Sequence, residues 1–271
     1  MATRRLWLWL FLAMFLLLIV SILVEALTKN EKFIPSILAL GSFAVPVCFI
    51  GFVGSRVPTA DVPLGPVAVC FVAGGVLGTA VASLLEWDTL RKLDALPVIA
   101  VGAIEEPAKL LVPLGFYFAA RYVLTADGLI LGVAAGMGFA AFETMGYALT
   151  ALLDDDHVGH AVRLLFQRSV AAPFGHPAWT GMVCTVIWYE RHRSGHARLT
   201  PAMVGAFLVA ILLHAGWDGF IDEPVLQTIV GVISAALLAL CVIVARHELA
   251  AYRPEIEEAP PAAAEQPVAS G

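Results

Sequence analysis

Eight stretches of roughly twenty apolar residues follow one another along this chain, at about 6–27, 34–54, 64–85, 96–120, 127–151, 168–189, 200–220 and 225–245. A helix of about twenty such residues crosses the hydrocarbon core of a bilayer. Lipid offers no hydrogen bonds, so a spanning backbone must satisfy its own and coils into helices. Composition agrees, with 60% of the 271 residues hydrophobic, 14% charged and a mean hydropathy of +0.86. A soluble domain of this length needs far more polar surface. The expected fold is all-α, a polytopic transmembrane bundle of about eight spans. The first run follows Arg4-Arg5 but is longer than a secretory h-region and lacks a small-residue cleavage pattern, so it reads as an uncleaved anchor.

Eight spans put both termini on one side. Cytoplasmic termini place nine basic residues inside (Arg4, Arg5, Arg56, Arg121, Arg191, Arg193, Arg198, Arg246, Arg253) and six outside (Lys29, Lys32, Arg91, Lys92, Arg163, Arg168). The acidic run Asp154-Asp155-Asp156 also falls outside. The positive-inside rule favours this orientation, in a plasma membrane. No basic, aromatic-rich patch suggests a nucleic-acid partner, and the bilayer itself is the first partner expected. The tail from about 248, rich in Pro, Ala and Glu, is expected to lack fixed structure. The chain thus divides into scaffold spans (1–95), a polar core (96–220), a last span (221–247) and a tail (248–271). The loop 152–167 is the only one long enough for a short extracytoplasmic amphipathic helix. Cys48, Cys70, Cys184 and Cys241 lie in apolar runs without ligand-like spacing and read as packing residues. Gly128, Gly132 and Gly136, four residues apart, read as a seam where helices approach closely.

Several spans contain side chains that hydrocarbon disfavours, and such residues usually mark a site. The fourth reads Glu105-Glu106-Pro107-Ala108-Lys109. Glu105 and Lys109 are i,i+4 neighbours able to neutralise each other, which leaves Glu106, about 100° around the helix, to face something else. Pro107 lacks an N–H and suits a place where water enters. The fifth carries Glu143. The sixth reads Pro173-Phe174-Gly175-His176-Pro177, a poor continuous helix, tolerated at membrane depth where it lines a cavity. In the seventh, His214 and Asp218 share a face at i,i+4 spacing, so the carboxylate can orient the imidazole. Counted from the outer span ends at 1.5 Å per residue, Glu106 lies at about 15 Å, Glu143 and His176 at about 12 Å and His214 at about 9 Å. The group therefore converges between the bilayer centre and the extracytoplasmic face, and the first three and last spans read as scaffold or substrate access.

Carboxylates and imidazoles in a semi-dry cavity bind a divalent metal, zinc among the candidates, that activates water. They also support metal-free hydrolysis with a glutamate as base. No HExxH spacing and no paired serine or cysteine nucleophile is present. A proton- or ion-coupled transporter uses the same residue types, but its internal repeats are not found.

The order Glu105-Glu106 with Lys109, Asp127-Gly128 with Gly138-Phe139 and Glu143, His176 with Trp179-Thr180-Gly181, then Leu213-His214 with Trp217-Asp218 resembles the PrsW intramembrane protease family over about residues 96–220. The wider superfamily, including CAAX prenyl endopeptidases, usually has Arg after the Glu pair and His where this chain has Glu143, so the resemblance is to the PrsW branch. It implies hydrolysis of a peptide bond of a single-span membrane protein near its extracytoplasmic side. In that family the substrate is typically an anti-sigma factor, cut to begin a signalling cascade in which a second protease can follow. The catalytic residues expected are Glu105, Glu106, His176 and His214. The metal ligands expected are Glu106, Glu143, His176 and His214, with Asp218 behind them. Glu105 or Glu106 activates the water, His214 is a ligand or stabilises the oxyanion, and Lys109 balances charge.

Overall fold

The computed structural model describes residues 5–57, 62–93, 97–155 and 158–258. Arg4, Asp156 and the tail 259–271 lie outside these residues. Among the described residues the chain forms nine α-helices, with no strand. They are α1 (Leu6–Thr28), α2 (Ile34–Arg56), α3 (Leu64–Leu93), α4 (Val98–Phe118), α5 (Thr125–Asp155), α6 (Val158–Ala171), α7 (His176–Ser194), α8 (Pro201–Gly219) and α9 (Pro224–Glu258). Six of them, α1, α2, α3, α5, α8 and α9, are long and apolar enough to cross a membrane. Helices α4 (21 residues) and α7 (19 residues) are of spanning length but carry the acids, bases and histidines that lower their hydropathy. The chain is a multi-pass helical membrane bundle, as its apolar runs require.

Helix α5 is the axis. Residues such as Leu129, Leu131, Val133, Met137 and Ala141 are fully buried around its whole circumference, which marks a helix surrounded by others. Asp127 Oδ2 accepts from the Leu124 N–H (3.0 Å) and closes its first turn. Small residues let its neighbours in. A Cβ at Gly136 would stand 2.6 Å from the His176 carbonyl oxygen, and Gly128 and Gly132 meet Trp188 and Cys184, so the glycine seam faces α7 along its length. Gly138 faces α3, where any Cβ would collide with the Phe71 carbonyl. All four cysteines are buried and free.

Three boundaries differ from the sequence expectation, each with consequences. Helix α3 continues to Leu93, past the expected end near 85, and carries Glu86 into the bundle. The sixth apolar run is not one helix. Residues 168–171 close α6, a 3-10 turn spans Ala172–Phe174, and α7 starts at His176, after Gly175 at φ −117°, ψ −117°. Pro173 and Pro177 account for the break, since neither can donate to a continuing helix. Helix α9 runs through Glu258, so the first part of the expected tail is helical. The amphipathic helix expected in the loop after α5 is α6. It buries Ala161, Leu165 and Ser169 and exposes Arg163, Phe166 and Val170.

Candidate active site

Each polar helix contributes to one cluster. From α4, Glu105, Glu106 and Lys109 are buried, at 5%, 1% and 0% exposure. Helix α4 continues unbroken across Pro107 and Pro113. Spacings of three and four residues place Glu105, Glu106 and Lys109 on overlapping sectors of the helix. Lys109 Nζ lies 3.1 Å from Glu105 Oε2 and 2.8 Å from Glu106 Oε1. The expectation that Lys109 neutralises Glu105 alone is thus corrected: the long, flexible ammonium bridges both carboxylates, and Glu106 is as tightly held as Glu105.

Helix α8 brings His214 against α4 at Gly102, where a Cβ would sit 3.0 Å from Ile211 O and 3.3 Å from His214 Cβ. His214 Nδ1 is 2.8 Å from Glu106 Oε1, so its N–H donates to that carboxylate. The other ring nitrogen, Nε2, is 3.5 Å from Glu105 Oε2 and 3.4 Å from Asp218 Oδ2. Trp179 stacks on the imidazole at 4.7 Å and is itself fixed by its N–H to Ser234 Oγ (2.8 Å) in α9. His176, the first residue of α7, has Nδ1 2.7 Å from Lys109 Nζ and Nε2 3.0 Å from Glu143 Oε2. The two imidazole centroids are 5.2 Å apart, edge to face.

Among the described residues, donor atoms able to share one ion are those of Glu105, His176 and His214, which all lie within 4.8 Å of one another. Two imidazoles and a carboxylate are a donor set suited to zinc and similar divalent ions. The set differs from the expected ligands. Glu106 is turned toward Lys109 and His214, and Glu143 is shared between His176 and Arg168. Asp218 stands on the Nε2 side of His214, the side that also faces Glu105.

A polar cavity of about 260 Å³ opens onto this cluster between α3, α4 and α5, lined by Thr79, Ser83, Glu86, Glu105, Glu143 and Tyr147 among others. Two larger grooves, of about 490 and 550 Å³, are apolar and contain no acid or histidine. Glu86 is the residue that sequence reasoning missed. Its carboxyl group lies against that of Glu105, and its Oε1 is shielded from solvent with no hydrogen-bond partner. The readable signal is Thr79, Ser83 and Glu86, polar at i, i+4 and i+7 on one face of an apolar helix. Arg168 is the second omission. Its sequence position marks it only as a loop charge, although its Nη2 lies 2.5 Å from Glu143 Oε2.

No curated protein and no solved structure matches the chain. Residues 62–245, about two thirds of the chain and all of the helices that build this cluster, match the PrsW family intramembrane metalloproteases. With a helical membrane bundle, a buried carboxylate–imidazole cluster and a match of that extent, the chain belongs to the PrsW family of intramembrane metalloproteases, and it is an intramembrane endopeptidase.

Proposed function

We propose that the protein cuts a single-span membrane protein at the polar cavity between α3, α4 and α5, with Glu105 as the carboxylate that works on the attacking water. One observation carries this reading. Glu105 belongs both to the Glu105–His176–His214 donor group and to the lining of the polar cavity, whereas Glu106 does not line it. A divalent metal would be held by His176 and His214, with or without Glu105, and would supply Lewis acidity toward a scissile carbonyl. Glu105 acts either within that donor set or as the base that takes the proton from water. Glu106 holds His214 through Nδ1 and so directs Nε2 toward the reacting atoms. Glu143 does the same for His176, accepting from Nε2 and so directing Nδ1 into the donor group, where Lys109 Nζ lies at 2.7 Å. The cavity hydroxyls of Thr79, Ser83, Tyr147 and Thr150 admit water and the peptide backbone.

The finer assignments follow from this reading and from the orientation that the positive charges favour. The termini face the cytoplasm of a plasma membrane, and the cavity opens toward the extracytoplasmic side. The substrate is a single-span regulator of the anti-sigma type, whose first cut prepares it for a second protease. Residues 96–220 form the catalytic core, to which α3 adds Glu86.

The test is proteolysis by the detergent-reconstituted full chain against a panel of single-span substrates, with wild type beside Glu105→Gln and His176→Ala, each with and without a chelator. Site-specific cleavage lost in both variants is the expected result. Chelator sensitivity shows that the reaction needs a metal, and resistance assigns Glu105 as a base without one. Cleavage that survives Glu105→Gln removes the assignment.

A further inference from the structure

Arg168 sits outside the catalytic helices yet reaches into the site. Its helix, α6, is fastened to α2 by Ser169, whose Oγ donates to the Gly41 carbonyl (2.6 Å), and by Leu165, which lies so close to Gly41 that a Cβ there would stand 2.8 Å from Leu165 Cδ1. The opposite face exposes Phe166 (64%) and Val170 (54%), as in a helix lying along a membrane interface. Between these faces Arg168 points inward. Its Nη2 donates to Glu143 Oε2 (2.5 Å), its Nε donates to Thr144 Oγ1 (3.2 Å), and its guanidinium covers the Tyr147 ring at 4.3 Å.

The oxygen that Arg168 holds is the one that His176 uses. Glu143 Oε2 also accepts from His176 Nε2, at 3.0 Å. His176 follows α6 after a single short turn, so the path from Arg168 through the 3-10 turn to His176, across to Glu143 and back to Arg168 is a closed ring. We infer that Arg168 is a positioning residue for the proteolytic reaction: it fixes Glu143 so that this carboxylate holds His176 Nε2 and keeps Nδ1 turned into the site. A guanidinium suits this task because its rigid fork of donors engages Glu143 and Thr144 together, which a lysine ammonium cannot do in the same geometry. Without it, Glu143 keeps only the imidazole as a charge-assisted partner and swings toward the water of the adjoining cavity, and His176 loses its outer restraint. The inference rests on the proposed placement of His176 and Glu143 in the catalytic machinery.

The experiment compares wild type, Arg168→Ala, Arg168→Lys and Glu143→Gln as full-length reconstituted protein, with kcat and KM measured separately on a cleavable single-span substrate. Partners behind a ligating histidine are worth on the order of 10- to 100-fold in activity. Arg168→Ala is expected to lose kcat on that scale with KM unchanged, and Arg168→Lys to recover part of it. Guanidinium ion at millimolar concentration is expected to restore kcat of Arg168→Ala saturably and to do nothing for Glu143→Gln. Unchanged kcat in Arg168→Ala overturns the inference, as does a loss expressed only in KM, which would make Arg168 a substrate contact. If Arg168→Ala does not survive purification, Arg168→Lys carries the test, and a kcat equal to wild type overturns it. Full activity of Glu143→Gln sinks the underlying site reading instead, and so separates the two failures.

Discussion

Lys109 Nζ lies 2.7 Å from His176 Nδ1, and because an ammonium can only donate, the imidazole must accept there. His176 is therefore the tautomer with its proton on Nε2, donating to Glu143. A metal ion reaching His176 through Nδ1 competes with the ammonium for the same lone pair. Lys109 also neutralises Glu105 and Glu106, so this one side chain holds the place of a cation among three of the site's residues.

Replacing Lys109 by Met is expected to have opposite effects with and without metal. Removing one partner of a buried ion pair costs about 3–5 kcal/mol, because the remaining charge is stranded. Here two carboxylates lose their cation, so thermal stability in detergent should fall steeply. Added zinc should then restore far more stability to Lys109→Met than it adds to wild type. Equal zinc-induced shifts in melting temperature for both proteins would show that the ion and the ammonium do not share a place.

Glu105→Gln and Glu106→Gln are expected to differ in degree. Glu105 faces the cavity and the donor group, so its loss should remove turnover by a factor on the order of a thousand or more. Glu106 acts through His214, and its loss should cost about 10- to 100-fold, the scale of an orienting partner. Single-turnover rates for both proteins decide the matter, and the reverse order would exchange the two roles.

Much of this architecture is legible in the amino-acid sequence. The glycine seam, the broken helix before His176 and the amphipathic helix after α5 each follow from local rules about small residues, proline and apolar periodicity, and those rules act within a few residues of chain. Depth counting brings Glu106, Glu143, His176 and His214 to nearly one level, and they do meet. Which atoms pair is not legible. Whether Glu105 or Glu106 faces the cavity depends on the rotation of α4 about its axis, which Gly102 and the α8 contact set from another part of the chain. Glu86 escapes notice because the apolar run of its span stops one residue before it, which makes a buried acid look like a loop charge. Arg168 escapes because charge alone does not tell which face of α6 looks inward.

Gly136→Ala should show how closely α5 and α7 must approach. The new methyl would meet the His176 carbonyl oxygen at 2.6 Å and Pro177 Cα at 2.8 Å, all backbone, so α7 must move. Overpacking of this kind costs about 1–3 kcal/mol. Gly205 in α8 has no atom within 4 Å of an added Cβ, and Gly205→Ala gains helix propensity without a clash. The expected pair of results is a lower melting temperature and reduced turnover for Gly136→Ala, against an unchanged or slightly higher melting temperature and full turnover for Gly205→Ala. Parity between them would mean that the seam is looser than the geometry requires.

Glu86→Gln tests whether the acid on α3 serves function at the expense of stability. Glu86 Oε1 is a shielded oxygen without a hydrogen-bond partner, and its carboxyl group lies against that of Glu105, whose Oε2 is ion-paired with Lys109 at 3.1 Å. A glutamine amide can donate an N–H to the Glu105 carboxyl group in place of an apposed carboxylate, and such a bond is worth on the order of 1 kcal/mol. Glu86→Gln should therefore melt higher than wild type. The same amide would tie the Glu105 oxygen that faces the cavity, so proteolysis should slow several-fold, in kcat more than in KM. Natural sequences keep local conflicts of this kind chiefly at working sites. Measuring melting temperature and kcat on the same preparation distinguishes the cases: a more stable and slower enzyme places Glu86 in the catalytic environment. A protein that is both more stable and fully active would leave it as an inherited flaw in the packing of α3.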